Sequence, residues 1–394
     1  MSDKTIKKAK DGEGSVYQLP NKRWVGKLYI GRKADGKPNR KTFSGKTESE
    51  VRKKIREFNK NIDKYSQENI TSLSFEEYIN NWLYTYRRNQ LKPSSFDRLE
   101  STIKNHIVPN LGYLQLSNVE AKDIQNLINN MFDNGLSHSS IKKVYDACNA
   151  VLKYAVIKDL KHNPMQGVEM PSIKLFKKSK IRYFNEKEIE EFEKEAIRNY
   201  KTGTPVYKNG YAFILMMNTG IRESEVLGID KNRDIDLEKN ILKINKNVIT
   251  VKVRDKSDHS NIMGYETKLQ DTVKTDAGNR IIPLNKKAKI AIIELIKNSN
   301  DNSNLLISNA NGQPLSPTTI SKSFSKITFS AGIGNCGTHA LRHTFASMLF
   351  KKGVDIKIIS ELLGHANVSI TYNTYIHLIN EQKVKAIQSL DLEI

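Results

Sequence analysis

Near its C-terminal end the chain reads GTHALRHTFASMLFKKGVDIKIISELLGHANVSITYNTYIH, which places His339, Arg342, His365 and Tyr375 within one short stretch. Far upstream, NTGIRESEVLGI adds Arg222 directly after a glycine turn. Cleaving a phosphodiester requires neutralising charge on the nonbridging oxygens, activating a nucleophile and protonating the departing oxygen. Two planar guanidinium groups can grip those oxygens bidentately and keep their charge at any relevant pH. Arg222 and Arg342 suit that role. By analogy with other electrostatic clamps, removing either should cost roughly 2.7–4 kcal/mol of transition-state stabilisation. The Tyr375 hydroxyl is a candidate nucleophile, and a suitably placed lysine would complete a set able to cut and rejoin DNA without a metal. A single arginine in a helix is usually a surface ion pair, so the weight rests on the two together.

The same residues could also suit other chemistry. His339 and His343 sit four apart, as zinc ligands on a helix can, but the metalloprotease pattern needs Glu directly after the first histidine and Ala340 stands there. His343 therefore reads as a packed structural histidine. Cys336 is close in sequence to His339 but has no evident base partner and reads as packing.

The elements that must position these groups are suggested by length and charge. At 394 residues the chain exceeds one ordinary domain. Its net charge of +21, from 64 Lys and Arg against 43 Asp and Glu, suits a polyanionic partner. Two cysteines cannot build a disulfide framework and point to a reducing compartment. No stretch approaches the roughly 18 apolar residues of a membrane span, and MSDKTIKKAKDGEG has no apolar secretion core, so a soluble intracellular protein is expected.

Charge is uneven along the chain. Residues 1–66 hold 19 Lys/Arg and 8 Asp/Glu, residues 71–171 hold 11 and 10, and SIKLFKKSKIR (172–182) carries five positive charges and no acid. In the first segment SVYQL, RWVGKLYIG and RKTFSG, separated by turn residues, predict a three-stranded antiparallel sheet. A helix follows, with Thr47 and Glu50 as a capping box and Val51, Ile55, Phe58 and Ile62 along one face. That face is expected to pack under the sheet, leaving Lys27, Arg32, Lys33, Arg40 and Lys41 for a DNA groove. The second segment predicts four helices: one capped by Ser74 and Glu77 with Phe75, Ile79, Trp82, Leu83 and Tyr86 spaced for burial, one from Pro93 to about Ile107, then 120–133 and 138–158. Arg87, Arg88, Lys92, Lys142 and Lys143 could share a DNA-facing surface there. The third segment, from about 182, opens with a helix capped by Asn185 and Glu188. It continues with helices near 211–218 and 222–228, strand pairs near 240–254 and 270–284, and helices to the end. The overall class is α+β and multidomain, with no internal repeats.

TGIRESEVLGI, HALRHTFAS and LGHANVSITYNTYIH closely resemble the catalytic boxes of the tyrosine recombinases, also called the phage integrase family. The resemblance covers the whole third segment. It implies Arg222 and Arg342 as the clamp arginines, Glu225 as structural support for the first, His339 and His365 as the two histidines, and Tyr375 as the nucleophile. KTDAGNR is similar to the family's mobile β-hairpin and implies Lys274 as general acid, with Lys268 as a rival. For the nucleophile Tyr372 competes. Many members place the tyrosine nine residues after the LGH histidine, where this chain has Thr374, and the TYxH ending fits Tyr375-Ile376-His377.

The same resemblance implies a 3′-phosphotyrosyl intermediate, a Holliday junction, a homotetramer on double-stranded DNA, and no cofactor. It implies an arm-type DNA-binding domain (1–66), a helical SAM-like core-binding domain (71–171) and a basic linker (172–182) with Lys174, Lys177, Lys178 and Lys180 on phosphates. A catalytic domain (183–394) follows, ending in a tail that docks on a neighbour. The front end resembles integrases of phages and integrative conjugative elements, acting on core and arm attachment sites in the bacterial cytoplasm, at the nucleoid. The resemblance also implies an excisionase and a host DNA-bending protein as accessory partners. Two other classes share parts of this pattern: a type IB topoisomerase, which the arm-like segment argues against, and a non-catalytic DNA-binding protein, which the complete residue set argues against.

Overall fold

A computed structural model describes residues 15–19, 22–32, 38–58, 73–158, 160, 162–177, 181–270, 278–376 and 387–388. The chain divides into two compact units, Met1–Leu91 with Arg98–Phe176, and Lys92–Asp97 with Lys177–Ile394.

Within the first unit, strands β1 (Ser15–Gln18), β2 (Trp24–Arg32) and β3 (Pro38–Gly45) form an antiparallel sheet in that order. Helix α1, described over 48–58, buries Val51 and Ile55 against Leu28, with Phe58 edge-on to Phe43. Thr47 accepts the Glu50 amide as the expected cap, while the Glu50 carboxylate takes the Lys46 amide. The helix approaches so closely that a Cβ on Gly26 would stand 2.7 Å from both Val51 and Ile55. Ile62 lies outside the described residues.

The helical part comprises α2 (Phe75–Asn81), α3 (Pro93–Thr102), α4 (Val108–Leu111), α5 (Ala121–Asp133) and α6 (His138–Lys158). The ends of α2 and α3 widen into π-helical turns at Trp82–Arg87 and Ile103–Ile107. Ser74 and Glu77 make the expected capping box. Phe75, Ile79, Trp82 and Leu83 are buried as their spacing predicts. Tyr86 is not: it is 45% exposed, with its ring 4.9 Å from Tyr154. The widened turn offers a physical reason, since the 3.6-residue period that assigned Tyr86 to the core does not hold across it.

The second unit is built around α8 (Gly210–Thr219), apolar on all sides and almost wholly buried, as a helix surrounded by other elements must be. Its core joins Phe213 to Phe192 of α7 (Glu186–Ala196) and Phe324 of α11 (Pro317–Ser330). The short helix α9 (Glu223–Val226) follows α8. Strands β4 (Ile235–Asp236), β5 (Ile241–Ile244) and β8 (Arg280–Pro283) form one antiparallel sheet. Between β5 and β8, strands β6 (Asn247–Arg254) and β7 (Ile262–Gln270) form a separate hairpin. The 240–254 region thus holds two strands in different sheets, and β7 falls where no strand was expected. Helices α10 (Lys286–Lys297), α12 (His339–Lys351), α13 (Ile356–Leu363) and α14 (368–376) complete the unit. No described helix is long and apolar enough to cross a membrane.

Candidate active site

Helix α8 ends at Gly220, whose φ of +68° is the left-handed conformation that glycine adopts without a Cβ penalty. A Cβ there would also lie 2.5 Å from the Phe345 ring. This turn delivers Arg222, in extended backbone, to the start of α9. The Arg222 amide donates to Glu225 at 2.9 Å and its Nη1 to the same carboxylate at 2.7 Å. Arg222 keeps 33% of its side chain exposed, whereas Glu225 keeps 3%.

Glu225 has a second cation that sequence reasoning missed. Arg280, the first residue of β8, donates Nη2 to Oε2 at 2.9 Å and Nη1 to Oε1 at 3.2 Å. Its Nε donates to the Leu362 carbonyl of α13 at 2.7 Å. Burial alone would raise the Glu225 carboxyl. The Arg280 hydrogen bonds and the charges of Arg280 and Arg222 outweigh that and hold it down at about 2.

Helix α12 supplies the next groups. Arg342 is 4% exposed; its Nη1 donates to the Gly220 carbonyl at 2.9 Å, and its buried Nη2 has no hydrogen-bond partner among the described residues. Burial, with the charge of Arg222 behind it, pulls its pKa down to about 9, which still leaves it a cation at neutral pH. A buried guanidinium nitrogen without an acceptor is costly, and an arriving anion would satisfy it. His339 starts α12; the protein around it, then the Arg342 charge, lowers its pKa against the pull of Glu223. Glu223 is itself held by the hydroxyls of Thr338 (2.6 Å) and Ser321 (2.9 Å).

The remaining groups come from the chain after α13. Gly364, again left-handed at φ +68°, caps that helix and turns out His365. The His365 Nδ1 is 2.7 Å from the hydroxyl of buried Thr371. Burial, then the charges of Arg342, Arg222 and Arg280, lower His365 to about 4. On α14, Tyr375 is 1% exposed, with its ring 5.3 Å from Phe350. Burial raises its phenol pKa and the Arg342 charge opposes the rise. Its hydroxyl lies 2.8 Å from Nδ1 of His343, so the histidine expected only to pack touches the phenol oxygen. Tyr372, one turn earlier, is 40% exposed. Arg222, Glu225, Arg342, His339, His365 and Tyr375 thus gather around one electrostatic centre.

The other expected residues have different placements. Lys274 lies outside the described residues, between β7 and β8, and Lys268 is exposed and paired with Glu266 at 3.0 Å. Lys27 is exposed on the N-terminal sheet. Lys41 departs from the expected arrangement: it pairs across the strands with core-facing Leu28, and its ammonium sits 4.1 Å over the Phe58 ring. Alternation along β3 therefore puts it on the side of α1 rather than on the opposite face. Arg32 and Arg40 belong to β2 and β3, while Lys33, Lys178 and Lys180 lie outside the described residues. Arg87 and Arg88 are half-buried, bonded to Gln90 and Asn89. Lys142 pairs with Asp146, and Lys92, Lys143, Lys174 and Lys177 are exposed. Among the described residues no group of three or more His, Cys, Asp or Glu is placed to hold a metal ion.

Comparison with known proteins gives consistent matches. Residues 182–382 match the model of the phage integrase family, and residues 74–132 that of the phage integrase N-terminal SAM-like domain. A XerC-like tyrosine recombinase of Caldanaerobacter subterraneus subsp. tengcongensis is 30% identical over 378 residues, covering 92% of this chain and 94% of the relative. Among solved structures, the integrase of transposon Tn1549 bound to transposon right end DNA superposes with a TM-score of 0.58 at 21% identity, covering 77% of this chain and 95% of that one. A lambda integrase tetramer bound to a Holliday junction superposes with a TM-score of 0.55 at 16% identity, covering 92% of this chain and 96% of that one.

Proposed function

Because the chain belongs to the phage integrase family and is a tyrosine recombinase that cleaves and rejoins DNA, we propose that it integrates and excises a mobile element, with Tyr375 as the nucleophile. The observation that carries this reading is the seat of Tyr375. Its hydroxyl reaches α12, the helix of Arg342, while Tyr372 remains exposed. Arg342 has a guanidinium nitrogen to spare and Arg222 a partly exposed side chain, which together suit the two nonbridging oxygens of one phosphate. Burial and the nearby arginine charges favour the neutral form of His339 and of His365, in which each ring donates one N–H. If Nδ1 of His365 accepts from Thr371, its proton sits on Nε2.

In this mechanism the Tyr375 oxygen attacks phosphorus and the 5′ oxygen departs with a proton from Lys274. A 3′-phosphotyrosyl link and a free 5′-hydroxyl remain. The link conserves the phosphodiester, so rejoining needs no external energy source. The 5′-hydroxyl then attacks the corresponding link on a partner duplex, and four subunits carry the exchange through a Holliday junction. The Tn1549 and lambda integrases captured on transposon-end DNA and on a junction support that course. The basic sheet and α1 of residues 1–66 serve as an arm-site module, and the helices of 71–171 bind the core site.

A nicked core-site suicide substrate tests the nucleophile. Wild type and Tyr372→Phe should trap a covalent protein–DNA adduct, and Tyr375→Phe should trap none. An adduct persisting in Tyr375→Phe would refute the assignment.

A further inference from the structure

The candidate site holds three histidines, and they are not equivalent. His365 commits Nδ1 to Thr371. His339 stands at the head of α12, its ring centroid 6.4 Å from that of His343. It is His343, one turn further along α12, whose Nδ1 lies 2.8 Å from the Tyr375 oxygen, with the two rings 5.8 Å apart and steeply inclined at 64°. Both partners are held in place: His343 by the helix that also carries Arg342, and Tyr375 by burial against Phe350.

We propose that His343 is a catalytic residue, the base that takes the Tyr375 proton during strand cleavage and returns it during rejoining. The inference rests on the reading of Tyr375 as nucleophile. In cleavage the Oη–H bond breaks and an Nδ1–H bond forms. The Oη–P bond forms as P–O5′ breaks, and the 5′ oxygen is protonated by a separate acid. In rejoining the 5′-hydroxyl displaces the tyrosine, and His343 gives its proton back to the phenolate.

The surroundings suit this task. Among the described residues, the titratable and charged groups that act on His343 are His339 and Arg342 on its own helix, His365 on the turn after α13, and Tyr375 on α14. Burial, then the charges of His339 and Arg342, lower His343 to about 4, so it waits unprotonated. That makes it a weak base in the empty site. A bound phosphate anion offsets the Arg342 charge and raises its proton affinity, so proton transfer is favoured once DNA is in place.

The test is single-turnover cleavage of the nicked core-site substrate by His343→Asn and His343→Gln, whose amides can hold the phenol but cannot act as a base. Melting temperature and core-site affinity are measured alongside, and the adduct is mapped by peptide mass. Both variants should melt and bind like wild type yet cleave about 100-fold more slowly, and their rates should climb with pH more steeply than wild type as hydroxide substitutes for the base. An adduct at Tyr375 with either variant cleaving near the wild-type rate overturns the base assignment alone. So does slow cleavage with a pH profile parallel to wild type, which would leave His343 a positioning residue. An adduct at Tyr372 overturns the nucleophile reading and the inference with it.

Discussion

Arg280 lays both terminal nitrogens of its guanidinium on the Glu225 carboxylate, and through that carboxylate it sets the orientation of Arg222. The pair is nearly dry, with side-chain exposures of 6% and 3%. Breaking such a pair leaves a buried charge uncompensated, which costs about 3–5 kcal/mol. Arg280→Met should lower the unfolding free energy by that order in chemical denaturation. It should also slow cleavage, because Arg222 loses the anchor of its anchor. Unchanged stability would mean that Arg222 alone suffices for Glu225.

The same carboxylate sets a pH dependence. Its folded pKa of about 2 lies below its ordinary value of 4.5. A depressed folded pKa contributes stability above the unfolded value, and that contribution is lost as pH falls from 4.5 toward 2. Glu225→Gln should therefore flatten the acid limb of the stability curve in that window, measured by thermal melting against pH. An acid limb as steep as wild type would assign the loss to other carboxylates.

These two residues also show what could and could not be read in the chain. Arg222, Arg342, His339, His365 and Tyr375 sit in short local motifs, so the resemblance of those motifs to the family's boxes was enough to nominate them, and the structure brings them together. Arg280 acts on a partner 55 residues upstream, and that pairing is set by the fold rather than by spacing. A signal was present nonetheless: in RIIP the alternation buries Arg280 with Ile282 and leaves Ile281 58% exposed, so an arginine occupies a core-facing strand position. Strand β7 had no such signal. None of its residues is buried, so there was no apolar period to detect. Tyr86 failed for the opposite reason, because the period was present but the helix departs from it.

Gly220 is a third test. Alanine there must adopt a left-handed backbone and push against Phe345 at once. Gly220→Ala should destabilise the second unit by about 1–3 kcal/mol, and it should impair cleavage because Arg342 bonds the Gly220 carbonyl. Calorimetry together with single-turnover cleavage checks both parts. Full activity at wild-type stability would show that the turn is pliable.

The front end gives a fourth. Removing residues 1–66 should abolish integration on full attachment sites while sparing cleavage of isolated core sites, followed by recombination and suicide-substrate assays in parallel. Undiminished integration by the truncated protein would remove the arm-site role.

The order of the parts along the chain has a consequence during synthesis. Arg222, at the head of α9, is made about 150 residues before Tyr375, and the tyrosine is seated by α12 rather than by its own neighbours. A nascent chain leaves the ribosome N-terminal part first. On the proposed assignment, an incomplete chain can rest on the chromosome but cannot break it, so translation itself acts as a safety catch.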